Sequence, residues 1–202
     1  MVVVERRGRR GSPAGTGRAD GHAPGGSVAV PHPLVLQLRF TRSEFRRAIS
    51  KVPEADARKR VMPMNSISWT VGHLAWQEQR YFIYFPTGEY LLPGIQETYA
   101  FGSPHSTPPA KEMWAAWRRI TKAADRFLDG LTTRTLRRYV VLDGRKTDRM
   151  YGNLLQRVIY HYWYHIGEDM AVRKMLGHSG FGYFVGDIDH KAPYTPERRS
   201  GR

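Results

Sequence analysis

Tyr160-His161-Tyr162-Trp163-Tyr164-His165-Ile166-Gly167-Glu168 is the stretch on which the reading of this chain turns. It lies in a long segment free of proline, with two histidines four residues apart. On an α-helix that spacing puts both side chains on one face, on consecutive turns. Two imidazoles so placed can grip one metal ion, at about 2.0–2.1 Å if the ion is zinc. A third ligand must then come from elsewhere. His73, within Trp69-Thr70-Val71-Gly72-His73-Leu74-Ala75-Trp76-Gln77-Glu78, is the candidate.

Around the pair, the pattern predicts a helix from about Tyr151 to Leu176, with Gly177 at its C′ position. Leu154, Val158, His161, His165, Val172 and Leu176 fall near one stripe, so the histidines are expected to face inward. Three more helices precede it. The first runs from Pro33 to Ile49, with Leu34, Leu38, Phe45 and Ile49 at helical spacing and Pro33 suited to a first turn. The second starts near Ser66 with Asn65 as N-cap and runs to about Phe85, where Pro86-Thr87-Gly88 stops it. The third opens at Thr107-Pro108-Pro109 and continues to about Leu131 on a stripe of Met113, Trp117, Ile120, Ala124, Phe127 and Leu131.

Residues 86–107 read as a long loop between the second and third helices, of a length that often covers a site. Arg138-Tyr139-Val140-Val141-Leu142 with Asp143-Gly144 reads as a short strand and turn, either a hairpin or an extended link. Four long amphipathic segments sharing one core imply an all-α fold, a four-helix bundle of up-and-down or crossover topology.

The ends differ in composition. Residues 1–32, rich in Gly, Arg, Pro, Ser and Ala, are expected to form a disordered basic N-terminal arm, because they cannot bury enough surface to offset ordering entropy. The folded unit is expected over 33–178, and an irregular C-terminal tail over 179–202.

Among the 202 residues there is no cysteine, which excludes disulfides, thiolate ligands and a cysteine nucleophile. A metal must then be held by His, Asp or Glu, and a thiol in the chemistry must arrive as a bound small molecule. No apolar run approaches the roughly 20 residues that span a bilayer, and no secretory signal is recognisable, so no membrane association and a cytoplasmic location are expected. The net charge of +14 favours polyanions, RNA or DNA among them, but no nucleic-acid-binding module is recognisable.

Two blocks resemble the DinB-like metalloproteins, of the DinB/YfiT type. Ser68-Trp69-Thr70-Val71-Gly72-His73-Leu74-Ala75-Trp76-Gln77-Glu78 is similar to the helix-two block around that family's first metal histidine. His161-Tyr162-Trp163-Tyr164-His165-Ile166-Gly167-Glu168, with Arg173-Lys174-Met175-Leu176-Gly177, is similar to its helix-four block. The order of helices agrees over roughly 33–178. The resemblance implies a four-helix bundle of the DinB/YfiT type with His73, His161 and His165 as a metal triad. It implies a divalent ion, zinc or nickel, with positions left open for water or substrate. One departure is Glu168, where many members carry Gln. Near the site it would add negative charge and a candidate catalytic base; facing outward it would be an ordinary solvated residue.

The resemblance further implies a metal-dependent transferase or isomerase acting on a small-molecule substrate with a low-molecular-weight thiol. Hydrolysis at the same site is a variant. The second reading is a non-catalytic metal-binding, stress-response bundle that acts through a protein or nucleic-acid partner. Arg80, Arg157 and Arg173 are candidates for the carboxylates of a thiol cosubstrate. The run Tyr81-Phe82-Ile83-Tyr84-Phe85 is read as core packing, and a homodimer is expected to cover some of the aromatics around the histidine pair. His22, His32, His105, His178 and His190 are assigned no role.

Overall fold

The computed structural model describes residues 30–183 and 185–195, so most of the expected N-terminal arm and the last residues of the tail lie outside the described residues. The chain is predominantly helical. It runs α1 (Pro33–Ile49), α2 (Glu54–Arg58), α3 (Ile67–Gln79), a π-helical turn (Arg80–Tyr84), α4 (Phe85–Thr87), α5 (Pro93–Tyr99), α6 (Ala110–Asp129) and α7 (Thr133–Leu136). A hairpin of β1 (Tyr139–Leu142) and β2 (Arg145–Met150) leads into α8 (Tyr151–Met175), and α9 (Ile188–Lys191) follows.

The ends of the long helices follow from local chemistry. α1 opens with Pro33 in its first turn, while the His32 side chain accepts from the Leu34 amide at 3.2 Å. α3 is capped by Ser66, whose Oγ accepts from the Trp69 amide. The expected cap, Asn65, lies one residue too early and instead touches His105. α8 ends at Gly177, with φ +84, where the His178 amide reaches back to the Arg173 carbonyl and the Gly177 amide to that of Lys174. This is a Schellman closure, which needs a residue that tolerates left-handed backbone. Asp143 and Gly144, both at positive φ, form the two-residue turn that suits the twist of paired strands.

Two regions differ from expectation. The stretch expected as a long loop, 86–107, contains α5, which begins on Pro93 and buries Ile95 and Tyr99. The second predicted helix continues to Phe85 as one rod, but through a π turn at Arg80–Tyr84. The aromatic run there does pack inward, since Tyr81, Phe82 and Phe85 are buried.

α3 packs along α6, α1 along α8, and α3 also meets α8. Phe45, Leu38, Leu74, Ile120, Leu128, Leu154 and Tyr162 form the fully buried centre. Each such side chain contributes about 1.5–3 kcal/mol on leaving water. Every residue of α3 is buried, so its polar C-terminal end needs partners on all sides. Successive steps of about 100° send Gln77, Glu78 and Gln79 in three directions. Gln77 meets His161 on α8; Glu78 meets Arg42 on α1 and Tyr162 on α8; Gln79 bonds the Leu92 backbone just before α5. Burial alone would weaken the Arg42 charge, but the Glu78 carboxylate raises its pKa instead. Among the described residues no helix is long and apolar enough to cross a membrane.

Candidate metal centre

α3 and α8 cross where His73 faces His161 and His165. One ring nitrogen from each histidine lies within 4.8 Å of the other two, an arrangement that could hold a metal ion. His73 and His165 are buried and His161 is half-buried. The His73 ring is sandwiched between Trp69, four residues before it, and Trp76, three residues after it, at centroid distances of 4.8 and 5.1 Å. That stacking is what i−4 and i+3 neighbours on one helix face allow.

Each histidine is tied outward through Nδ1. His73 Nδ1 lies 2.7 Å from the Tyr99 carbonyl at the end of α5. His161 Nδ1 lies 2.9 Å from Gln77 Oε1 on α3. His165 Nδ1 lies 2.7 Å from Glu168 Oε2 one turn along α8, a short contact whose alignment falls outside that of a regular hydrogen bond. The Tyr99 carbonyl and Gln77 Oε1 are acceptors, which favours the ring proton on Nδ1 of His73 and His161 and leaves their Nε2 lone pairs as free donor atoms. His161 Nε2 and His165 Nε2 stand 2.9 Å apart, a distance that either an Nε2–H carried by His165 or a shared cation satisfies.

A charged imidazolium is disfavoured at His73 and His161. Burial, with the neighbouring His165, His73 and Arg157, holds His161 down to about 3. Burial also holds His73 down to about 4, against the pull of the Tyr99 carbonyl. Burial works against charge on Glu168, yet its contacts with His165 and Tyr164 outweigh that and keep its carboxyl below the usual range. Three imidazoles, those of His73 and His161 held neutral, beside one carboxylate are a donor set suited to a divalent ion.

The cluster opens on a cleft of about 680 Å³ lined by Trp76, Gln77, Tyr81, Phe101, Asn153, Gln156, Arg157, Tyr160 and Tyr164 besides His73 and His161. Of the three arginines singled out in the sequence, only Arg157 lines it. Arg80 lies over the Trp76 and Phe85 rings. Arg173 donates to the Ala48 carbonyl and sits over Phe181. Among the histidines given no role, His32 caps α1, His178 pairs with Asp56 at 3.0 Å, and His22 lies outside the described residues. Sequence reasoning missed the Tyr99 carbonyl, which has no side-chain signature, and the part played by Gln77, whose position beside the α3–α8 crossing was the available signal.

A family model described as the DinB superfamily matches residues 37–168, well over half of the chain and inclusive of all three histidines and Glu168. No curated protein gives a significant match.

Proposed function

The chain belongs to the DinB superfamily, and on that premise we propose that it is a metal-dependent transferase or isomerase acting with a low-molecular-weight thiol. In this reading the four long helices α1, α3, α6 and α8 form the four-helix bundle of the DinB/YfiT type over 33–178. His73, His161 and His165 hold a divalent ion, zinc or nickel, through Nε2. A cytoplasmic location and a homodimer belong to the same proposal.

The observation that carries it is the convergence of one ring nitrogen from each of His73, His161 and His165 within 4.8 Å of the others, the two α8 histidines meeting at 2.9 Å. When bound, the ion would supply Lewis acidity and keep an external thiol deprotonated. The chain's own groups do the rest. Tyr99, Gln77 and Glu168 fix the ring orientations. Trp69 and Trp76 exclude water from both faces of His73. Glu168, held ionised and 2.7 Å from His165, offsets positive charge at the centre and can accept a proton there.

Elemental analysis of gently purified protein, followed by assays for thiol transfer to model electrophiles, tests the proposal. One equivalent of metal, lost in H161A together with activity, is the expected result. Stoichiometric metal without any transfer would favour the non-catalytic reading. Absence of metal, with stability unchanged on chelation, would remove both.

A further inference from the structure

The wall of the cleft contributed by α8 is a ladder. Asn153, Arg157 and His161 succeed one another at four-residue steps, flanked by Gln156, Tyr160 and Tyr164 at steps of three or four. Each rung climbs about 6 Å. Arg157 therefore sits one turn below His161, close enough that its charge is felt at that ring. Among the described residues Arg157 makes no ion pair and no hydrogen bond. An unpaired guanidinium inside a cleft is a planar fork of donors shaped for a carboxylate.

The remaining lining is aromatic. Trp76 and Tyr81 form a buried floor, while Phe101, Tyr160 and Tyr164 stand at the rim, exposed by 89, 67 and 63%. Apolar rings clustered in water around a concave site mark a surface that binds something flat. The two features lie at complementary positions: rings at the level of the histidines, the cation one turn away.

Resting on the metal centre of the proposed function, with any homodimer contact lying away from Tyr160 and Tyr164, we infer that the small molecule brought to this centre is an aryl carboxylate. Its ring lies among Trp76, Tyr160 and Phe101, and its carboxylate is held by Arg157. A neutral aromatic would leave the guanidinium unmatched; an aliphatic anion would leave the rim rings in water. A homodimer covering Tyr160 and Tyr164 would be the competing explanation of those rings.

Calorimetric titration of 2-naphthoate into the protein, as purified and after metal removal with the fold checked by circular dichroism, tests this. One equivalent is expected to bind both forms. R157Q is expected to weaken binding at least tenfold, and Y160A severalfold. K174Q, in the separate cavity that α8 lines together with Phe181, Tyr183 and Val185, is expected to leave it unchanged, and 2-naphthamide should bind far more weakly. The inference fails if naphthoate does not bind, if R157Q binds as the parent does, if the amide binds equally, or if K174Q abolishes binding. It also fails if sedimentation shows a dimer that Y160A dissociates. Arg157-dependent binding to a protein that never holds metal would instead sink the proposed function and leave this inference standing. Stoichiometric metal with no naphthoate binding would do the reverse.

Discussion

Gln77 Oε1 and His161 Nδ1 meet at 2.9 Å although 84 residues separate them in the chain. The amide belongs to a helix buried on every side, so its position is set by packing and not by the histidine. It decides which ring nitrogen of His161 keeps the proton. Replacing Gln77 by Leu should let the ring lose that preference and lower metal affinity by about 10–100-fold. Gln77→Glu, which still accepts, should retain most of it. Competition with a chromogenic chelator measures both, and equal affinities for Q77L and the parent would contradict the role.

Metal-free protein should lose stability in mild acid. A free imidazole titrates near 6.5, whereas folded His73 is held to about 4 and His161 to about 3. In the interval the unfolded chain binds protons that the folded chain refuses, so stability is full above about pH 6.5, falls as the pH drops, and levels off below about 3. Urea unfolding of chelator-treated protein across this range should show the slope. H161F should flatten part of it; a profile flat in the parent would contradict the burial of neutral rings.

Asp169 should behave in the opposite sense. Burial pushes its carboxyl well above the ordinary range, and one of its oxygens is without a partner. The folded protein keeps a proton that the unfolded chain releases, so stability declines as the pH rises above the ordinary carboxyl value toward the folded one. Asparagine is neutral throughout. D169N should raise the melting temperature at pH 7 and match the parent near pH 4, and a lowered melting temperature at pH 7 would show that the carboxylate is needed.

Glu78 is the partner that lets Arg42 stay charged inside the protein. It takes the Arg42 Nε at 2.7 Å and the Tyr162 hydroxyl at 2.8 Å. Removing it leaves the buried cation with Asp125 alone, at 2.7 Å from Nη1, and E78A should cost about 3 kcal/mol, the low end for a broken buried pair. Removing both charges, as R42M with E78L, should recover most of that loss. Denaturant midpoints of the single and double variants give the comparison.

A methyl group at Gly72 would meet Met113 Sδ and the Tyr99 ring at 2.9 Å. Overpacking of that kind costs about 1–3 kcal/mol, less the roughly 1 kcal/mol that alanine gains within a helix. G72A should therefore be destabilised by about 0–2 kcal/mol. Because Tyr99 also supplies the carbonyl on His73, the same variant should bind metal more weakly. Loss of stability with metal affinity intact would separate the two effects.

Much of this was legible in the residues, for identifiable reasons. Pro33 and Gly177 are positional residues, and the ends of α1 and α8 followed from them. His73, His161 and His165 lie at helical spacings on segments whose apolar stripes turn them inward. Asn65 and Ser66 are chemically equal as caps, so only the fold could choose between them. α5 is two turns long and holds its place by burying Ile95 and Tyr99 rather than by periodicity. Glu168 could be read as a site residue or a solvated one until the backbone fixed it beside His165.

The π turn at Arg80–Tyr84 separates two duties of one continuous rod. Upstream, the rotational phase is committed to His73, Trp76 and Gln77. Downstream, it is reset, so that Tyr81 lines the histidine cleft, Phe82 stacks on Phe127 of α6, and Phe85 lies under Arg80 near the hairpin. One additional residue in a turn thus works as an offset between gears. The rod's far end can answer to the hairpin and to α6 without rotating the ligands at its near end out of register.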